Sequence, residues 1–154
     1  MAAICLIDTT VFMEILNVPG KASDHKEAIR VLRSKIDNRE TLFLPMATIL
    51  ESGNHIAQIR NGKERRSSAE NFVYYVQKAL DGCSPFKPLS FLAPEQMQLW
   101  LKDFPESAMR GRGLGDLSII HDFHGQCSRN PHLRVYIWSL DVHLSSLKQE
   151  GRIR

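Results

Sequence analysis

Apolar residues along the chain fall into two kinds of stretch. Ala3 to Ile7 (Ala-Ile-Cys-Leu-Ile), Thr41 to Leu44 and Leu133 to Leu140 are short, nearly uninterrupted apolar runs. Such runs suit strands buried on both faces, as in a parallel sheet. Phe86 to Phe91, flanked by Pro85 and Pro94, is a further candidate strand. Between these runs the apolar residues recur at helical spacing. Asp8, Thr9 and Thr10 offer capping oxygens before a cluster from Val11 to Leu16. A second helix is predicted from about Ser23, capped by Ser23 or Asp24, with Ala28, Ile29, Leu32 and Ile36 inward. Pro45 suits the start of a helix over Met46 to Arg60, because its missing N–H would be unpaired there anyway. Asn61 to Arg66 reads as a polar turn before a long helix over Ser67 to Leu80, which carries Phe72, Val73, Val76 and Leu80. Helices over Glu95 to Phe104 and Leu117 to Cys127 follow, the latter introduced by the glycine-rich segment Arg110 to Asp116. Strands separated by helices imply parallel crossovers, hence an α/β sheet with helices on both faces. Without a repeat or linker, residues 1–154 read as a single domain.

Composition narrows the classes. A chain of 154 residues that is 43% hydrophobic and 24% charged buries one core without disulfides or a structural metal. No run approaches the roughly 18 to 20 apolar residues of a membrane span. The apolar opening has no basic leader and runs straight into a polar turn, so the expected location is the cytoplasm. Cys5, Cys83 and Cys127 fit neither a disulfide framework nor a paired-cysteine zinc site, and are expected to be reduced. A net charge of +3 barely argues for a nucleic-acid partner.

Four acids change that picture. In an open parallel sheet the binding crevice lies outside the carboxyl ends of the strands. Asp8 and Asp141 each follow an apolar strand directly, while Glu51 and Asp116 lie near the starts of helices. Each also has a local reading. Asp8 and Asp116 suit helix caps, Glu51 a favourable charge near a helix N-terminus, and Asp141 a turn. The joint pattern, drawn from four distant segments, points to one site.

Ile7-Asp8-Thr9-Thr10-Val11-Phe12, Leu44-Pro45-Met46-Ala47-Thr48-Ile49-Leu50-Glu51, Leu114-Gly115-Asp116-Leu117-Ser118-Ile119-Ile120 and Val135-Tyr136-Ile137-Trp138-Ser139-Leu140-Asp141 together resemble the PIN-domain family in order and context. The resemblance spans nearly the whole chain. It implies a PIN-like three-layer α/β/α domain with a central, mostly parallel sheet of four or five strands. It departs from the family's pattern in two places. Ser139 stands where Thr is commoner, and Ser128 to His132 lengthens the spacing from Asp116 to Asp141.

Carboxylates without Cys or paired His are hard ligands, which favour Mg²⁺ or Mn²⁺ over zinc. Two carboxylates about 5 Å apart at an effective dielectric near 20 repel by roughly 3 kcal/mol. A divalent cation removes that penalty. The expected ligands, direct or through water, are Asp8, Glu51, Asp116 and Asp141, with Thr9, Thr10 and Ser139 orienting them. PIN-domain enzymes are typically Mg²⁺- or Mn²⁺-dependent ribonucleases, so the resemblance implies hydrolysis of RNA phosphodiesters. Small stand-alone members include VapC-like toxins, which form homodimers and are blocked by a partner antitoxin. A non-catalytic module that binds RNA or protein is the alternative. A phosphatase or receiver built around Asp8 fails for want of the second Asp two positions on and of a partner acid or Lys pattern.

Substrate contacts are expected from Asn54, Arg110 and Arg112, the two arginines because they precede Asp116 and Arg pairs bidentately with phosphate. His55 and Gln58 read as a solvated helix side or a partner contact, and Gly53 as a point of close packing. Arg60, Lys63, Arg65 and Arg66 read as a solvated turn, and Tyr74, Tyr75 and Trp100 as core or dimer residues. Setting the four acids aside leaves an excess of seven basic residues elsewhere, so the mild net charge averages two opposed regions.

Overall fold

The computed structural model describes residues 3–89 and 93–152. Its elements, in chain order, are β1 (Ile4–Ile7), α1 (Thr9–Ile15), α2 (His25–Asp37), β2 (Thr41–Leu44), α3 (Met46–Ala57), α4 (Gly62–Leu80), β3 (Phe86–Pro88), α5 (Pro94–Met109), α6 (Leu114–Arg129), β4 (Val135–Trp138), α7 (Val142–Ser145) and β5 (Lys148–Gln149). The strands form one sheet in the order β3-β2-β1-β4-β5, parallel except for β5, which pairs antiparallel with β4. This is a three-layer α/β/α arrangement with five strands. Among the described residues no helix is long and apolar enough to cross a membrane.

Strand alternation divides the core in two. Cys5, Ile7, Leu42, Leu44 and Tyr136 face one side, where they meet Val11, Phe12, Leu32, Ile56 and Val76 from α1 to α4. Ile4, Leu6, Val135 and Ile137 face the other side, against Ile119 and Phe123 of α6 and Leu144 of α7. The uninterrupted apolar runs are therefore strands covered on both faces. The chain steps outward from β1 to β2 to β3, then crosses back to place β4 on the other side of β1. That reversal opens a crevice at the carboxyl ends of β1 and β4.

Several boundaries differ from the sequence reading. The polar stretch from Gly62 to Arg66 is helix, not turn: Asn61 caps α4 by accepting from Lys63 N and Glu64 N at 3.0 and 3.1 Å. The helix after Pro45 ends at Ala57, short of Arg60. α5 runs through Pro105, which removes one N–H donor without ending the helix. α6 starts three residues early at Leu114 and continues to Arg129, so the expected loop from Ser128 is partly helical. Ile36 is exposed rather than inward, as are Val73 and Leu80. Of the Phe86 to Phe91 run, Phe86–Pro88 is strand and Leu89 is not, while Ser90 and Phe91 lie outside the described residues. Gly53 packs on Phe72 less closely than expected, since an added Cβ would make ordinary contact with that ring at 3.7 Å. Tyr74 is exposed, whereas Tyr75 packs against the first core. The cysteines are free, as expected, with Cys5 buried.

Candidate active site

The pairing continues one residue past the end of β1, through a 3.0 Å bond from Asp8 N to O of Trp138, the last residue of β4. This brings Asp8 beside Ser139, 131 positions away. Asp8 is buried and stands at the N-cap position of α1, yet its side chain makes no capping bond. Its Oδ2 instead accepts from Thr10 Oγ1 at 2.9 Å and from Ser139 Oγ at 2.7 Å. Each hydroxyl in turn accepts a backbone N–H, Thr10 from Leu140 at 3.0 Å and Ser139 from Asp141 at 2.9 Å. Each hydroxyl thus accepts one backbone N–H and donates to Asp8, the two hydroxyl oxygens stand 3.3 Å apart, and Asp8 Oδ1 has no hydrogen-bond partner among the described residues.

Glu51 reaches the same edge from α3. Thr48, fully buried, donates from Oγ1 to Ile7 O at 2.7 Å and ties the first turn of α3 to the end of β1. One turn later Thr9 Oγ1 donates to Glu51 Oε2 at 3.1 Å. The Glu51 carboxylate lies against Gly115, where a Cβ would stand 1.7 Å from Oε1. Asp116, the next residue, lies in the first turn of α6, while Gly113 holds the N-cap position. Burial pushes the Asp116 carboxyl above its ordinary range, and the charges of Asp8, Glu51 and Asp141 push it further, against the opposing pull of Arg112. Asp141 does cap a helix: its Oδ1 accepts from His143 N and Leu144 N of α7 at 2.8 and 3.4 Å.

All four acids, with Thr9 and Thr10, line one groove of about 350 Å³. Arg112 stands close enough for its charge to act on Asp116, and Ser107 fixes its backbone: Arg112 N donates to Ser107 O at 2.9 Å, and Ser107 Oγ donates to Arg112 O at 3.2 Å. None of the three expected substrate contacts lines the groove: Arg110, at the C-cap of α5, and Asn54 are exposed, and Arg112 lies outside it half-buried. A larger hollow of about 690 Å³ on the outer face of α2 holds none of the four acids.

Two charged groove residues, Glu14 and Lys21, had escaped the sequence reading, and His55, read there as a solvated helix side or partner contact, lines the groove as well. Glu14 and His55 each follow a groove residue by four positions on the same helix, Thr10 and Glu51, and that spacing was the available signal. Lys21 lies on a loop without periodicity and offered none. Glu14 is buried and saturated. Its oxygens accept from Ser23 N at 2.8 and 3.0 Å, Ser23 Oγ at 2.8 Å and Asp24 N at 2.9 Å. Burial alone would raise its pKa; the bonds from Ser23 and Asp24 outweigh it and hold the carboxyl below its ordinary value. Nδ1 of His55 is buried with no hydrogen-bond partner.

Among the described residues no cluster of three or more His, Cys, Asp or Glu side chains is placed to hold a metal ion. Mg²⁺ does not need one, because it keeps several waters and is usually held through one or two carboxylates. The donor set suits such an ion: every candidate ligand is a carboxylate, the charges of three raise the proton affinity of the fourth, and Asp8 Oδ1 has no hydrogen-bond partner among the described residues.

No protein-family model and no curated protein matches the chain. Among solved structures it is similar to the crystal structure of FitAcB from Neisseria gonorrhoeae, at 16% identity over 89% of this chain and 87% of that one, with a TM-score of 0.50. At that identity the likeness is one of fold, and the fold is PIN-like.

Proposed function

We propose that the chain is a Mg²⁺- or Mn²⁺-dependent ribonuclease that hydrolyses RNA phosphodiester bonds, and the toxin of a toxin–antitoxin pair acting in the cytoplasm as a homodimer. The observation that carries this reading is the meeting of Asp8, Glu51, Asp116 and Asp141, from four separate segments, in one groove at the sheet's reversal point. Local roles account for Asp141, which caps α7, but not for the other three: the Asp8 side chain caps nothing, Asp116 lies inside its helix, and Glu51 is turned onto the start of α6.

These four carboxylates would hold the ion, directly or through water. When bound, it supplies a Lewis acid for the scissile phosphate and lowers the pKa of a bound water. The chain's own residues set the geometry. Thr10 and Ser139 lock Asp8, Thr9 steadies Glu51, and Asp141 is fixed by the N–H groups of α7. Arg112, four positions before Asp116 and near enough for its charge to be felt there, would pair with a substrate phosphate. Arg110 on the neighbouring turn and Asn54 on α3 are outer contacts in the same reading.

Inducible expression of the wild type and of Asp8→Asn, followed by sequencing of total cellular RNA fragments, tests the proposal. New RNA ends at defined sites in the wild type alone support it. Identical fragment patterns for the two proteins overturn it.

A further inference from the structure

The acidic groove continues past Lys21 and His55. Both side chains also line a second groove of about 410 Å³, with Lys21 from the segment 17–24 on one bank and His55, Gln58, Arg60 and Glu64 from α3, the α3–α4 junction and α4 on the other. The two hollows adjoin at Lys21 and His55, and end to end they trace a path from the acids toward the gap between the segment 17–24 and the junction of α3 with α4. Each bank is held from behind. On one side Glu14 clasps Ser23 and Asp24, Lys21 N donates to Val18 O at 3.1 Å, and Gly20 takes the left-handed conformation (φ 75°) that glycine permits. On the other, Arg65 Nη1 donates to Ile59 O at 3.0 Å and Asn61 caps α4.

Charge says what the path fits. Lys21 and Arg60 are exposed, and neither has a carboxylate within ion-pair distance among the described residues. Arg30 and Arg66, on nearby helices, are instead paired with Glu27 and Glu70. Two uncommitted cations on facing banks of a groove that leaves an acidic centre match a flexible polyanion with regularly spaced phosphates.

We propose that single-stranded RNA leaves the acidic groove along this path, with Lys21 and Arg60 taking backbone phosphates and the His55 ring lying against the strand between them. The proposal rests on the phosphodiester-hydrolase reading above, and names the side on which the bound strand extends.

The test is fluorescence anisotropy of a labelled oligouridylate of about a dozen nucleotides, bound with Mg²⁺ present to the full chain carrying Asp116→Asn, from about 50 to 200 mM salt. Lys21→Ala and Arg60→Ala are each expected to lower the slope of log affinity against log salt by about 0.7, and the pair together by about 1.4. Lys21→Arg keeps the slope, and so does Arg66→Ala. A double variant with the parent's slope overturns the proposal, as does a parent that does not bind at about 50 mM salt, or an Arg66→Ala slope that falls as far as the other two. The readout is binding, so the two readings separate. A reduced slope in a chain that cleaves nothing removes hydrolysis and keeps the path, while an unchanged slope in an active nuclease removes only the path.

Discussion

The Glu51 carboxylate occupies the space that a side chain at Gly115 would need, with Oε1 1.7 Å from where that Cβ would stand. α3 and α6 can therefore bring Glu51 and Asp116 together only because residue 115 has no side chain. Gly115→Ala would displace the far end of a flexible side chain, while an alanine inside a helix gains about 1 kcal/mol over glycine. The expected outcome is a variant at least as stable as the wild type in thermal melts, with RNA cleavage lowered about 10-fold or more.

Ser139 is placed to orient Asp8, since its hydroxyl accepts from Asp141 N and donates to Asp8 Oδ2. Ser139→Ala removes that donor and is expected to lower cleavage by about 10- to 100-fold. Ser139→Thr keeps the hydroxyl and retains activity. Initial rates for the two variants, measured side by side, check this.

Asp116→Asn separates stability from function. The Asp116 carboxyl is raised, so the folded chain binds this proton more readily than the unfolded chain does. The group's contribution to stability thus falls as pH rises from the ordinary Asp value through the raised one. Removing the charge relieves repulsion from Asp8, Glu51 and Asp141 at neutral pH. Without metal, Asp116→Asn is expected to melt about 2 °C or more above the wild type. Added Mg²⁺ raises the wild-type melting temperature and has less effect on the variant.

Glu14 titrates in the opposite sense. Its folded pKa is depressed, so its contribution is complete above the ordinary Glu value and is lost as pH falls through the depressed one. Glu14→Gln is expected to lose about 1.5–3 kcal/mol at pH 7, because donors from Ser23 and Asp24 lose their charged acceptor. Urea unfolding at neutral pH and near pH 3 measures this, and the gap between the two proteins narrows in acid.

How much the sequence revealed depended on where each signal came from. β1, β2 and β4 were legible because burial on both faces leaves continuous apolar runs. β5 was not: Lys148 and Gln149 form a two-residue edge with no apolar alternation. The start of α4 was hidden by a run of charged residues that are good helix formers, although Asn61 followed three positions later by Glu64 is a capping pattern. The four acids were legible through their positions at element ends. Their supports were legible only in part, since the bond between Thr48 and Ile7 and the contact between Glu51 and Gly115 join segments that sequence spacing does not relate. His55 and Asn54 show the limit within one helix. Both flank the direction of Glu51, but the groove lies on the i+4 side, so His55 lines it and Asn54 does not.

Cleavage of a single-stranded RNA by the purified chain, with Mg²⁺ or Mn²⁺ and with chelator, tests most directly whether the acid quartet is a hydrolytic metal centre. Metal-dependent cleavage by the wild type, stopped by chelator and reduced to background in both Asp8→Asn and Asp116→Asn, is the predicted result. Full activity in either variant, cleavage that survives chelation, or a folded wild type inert towards RNA with either metal would contradict it.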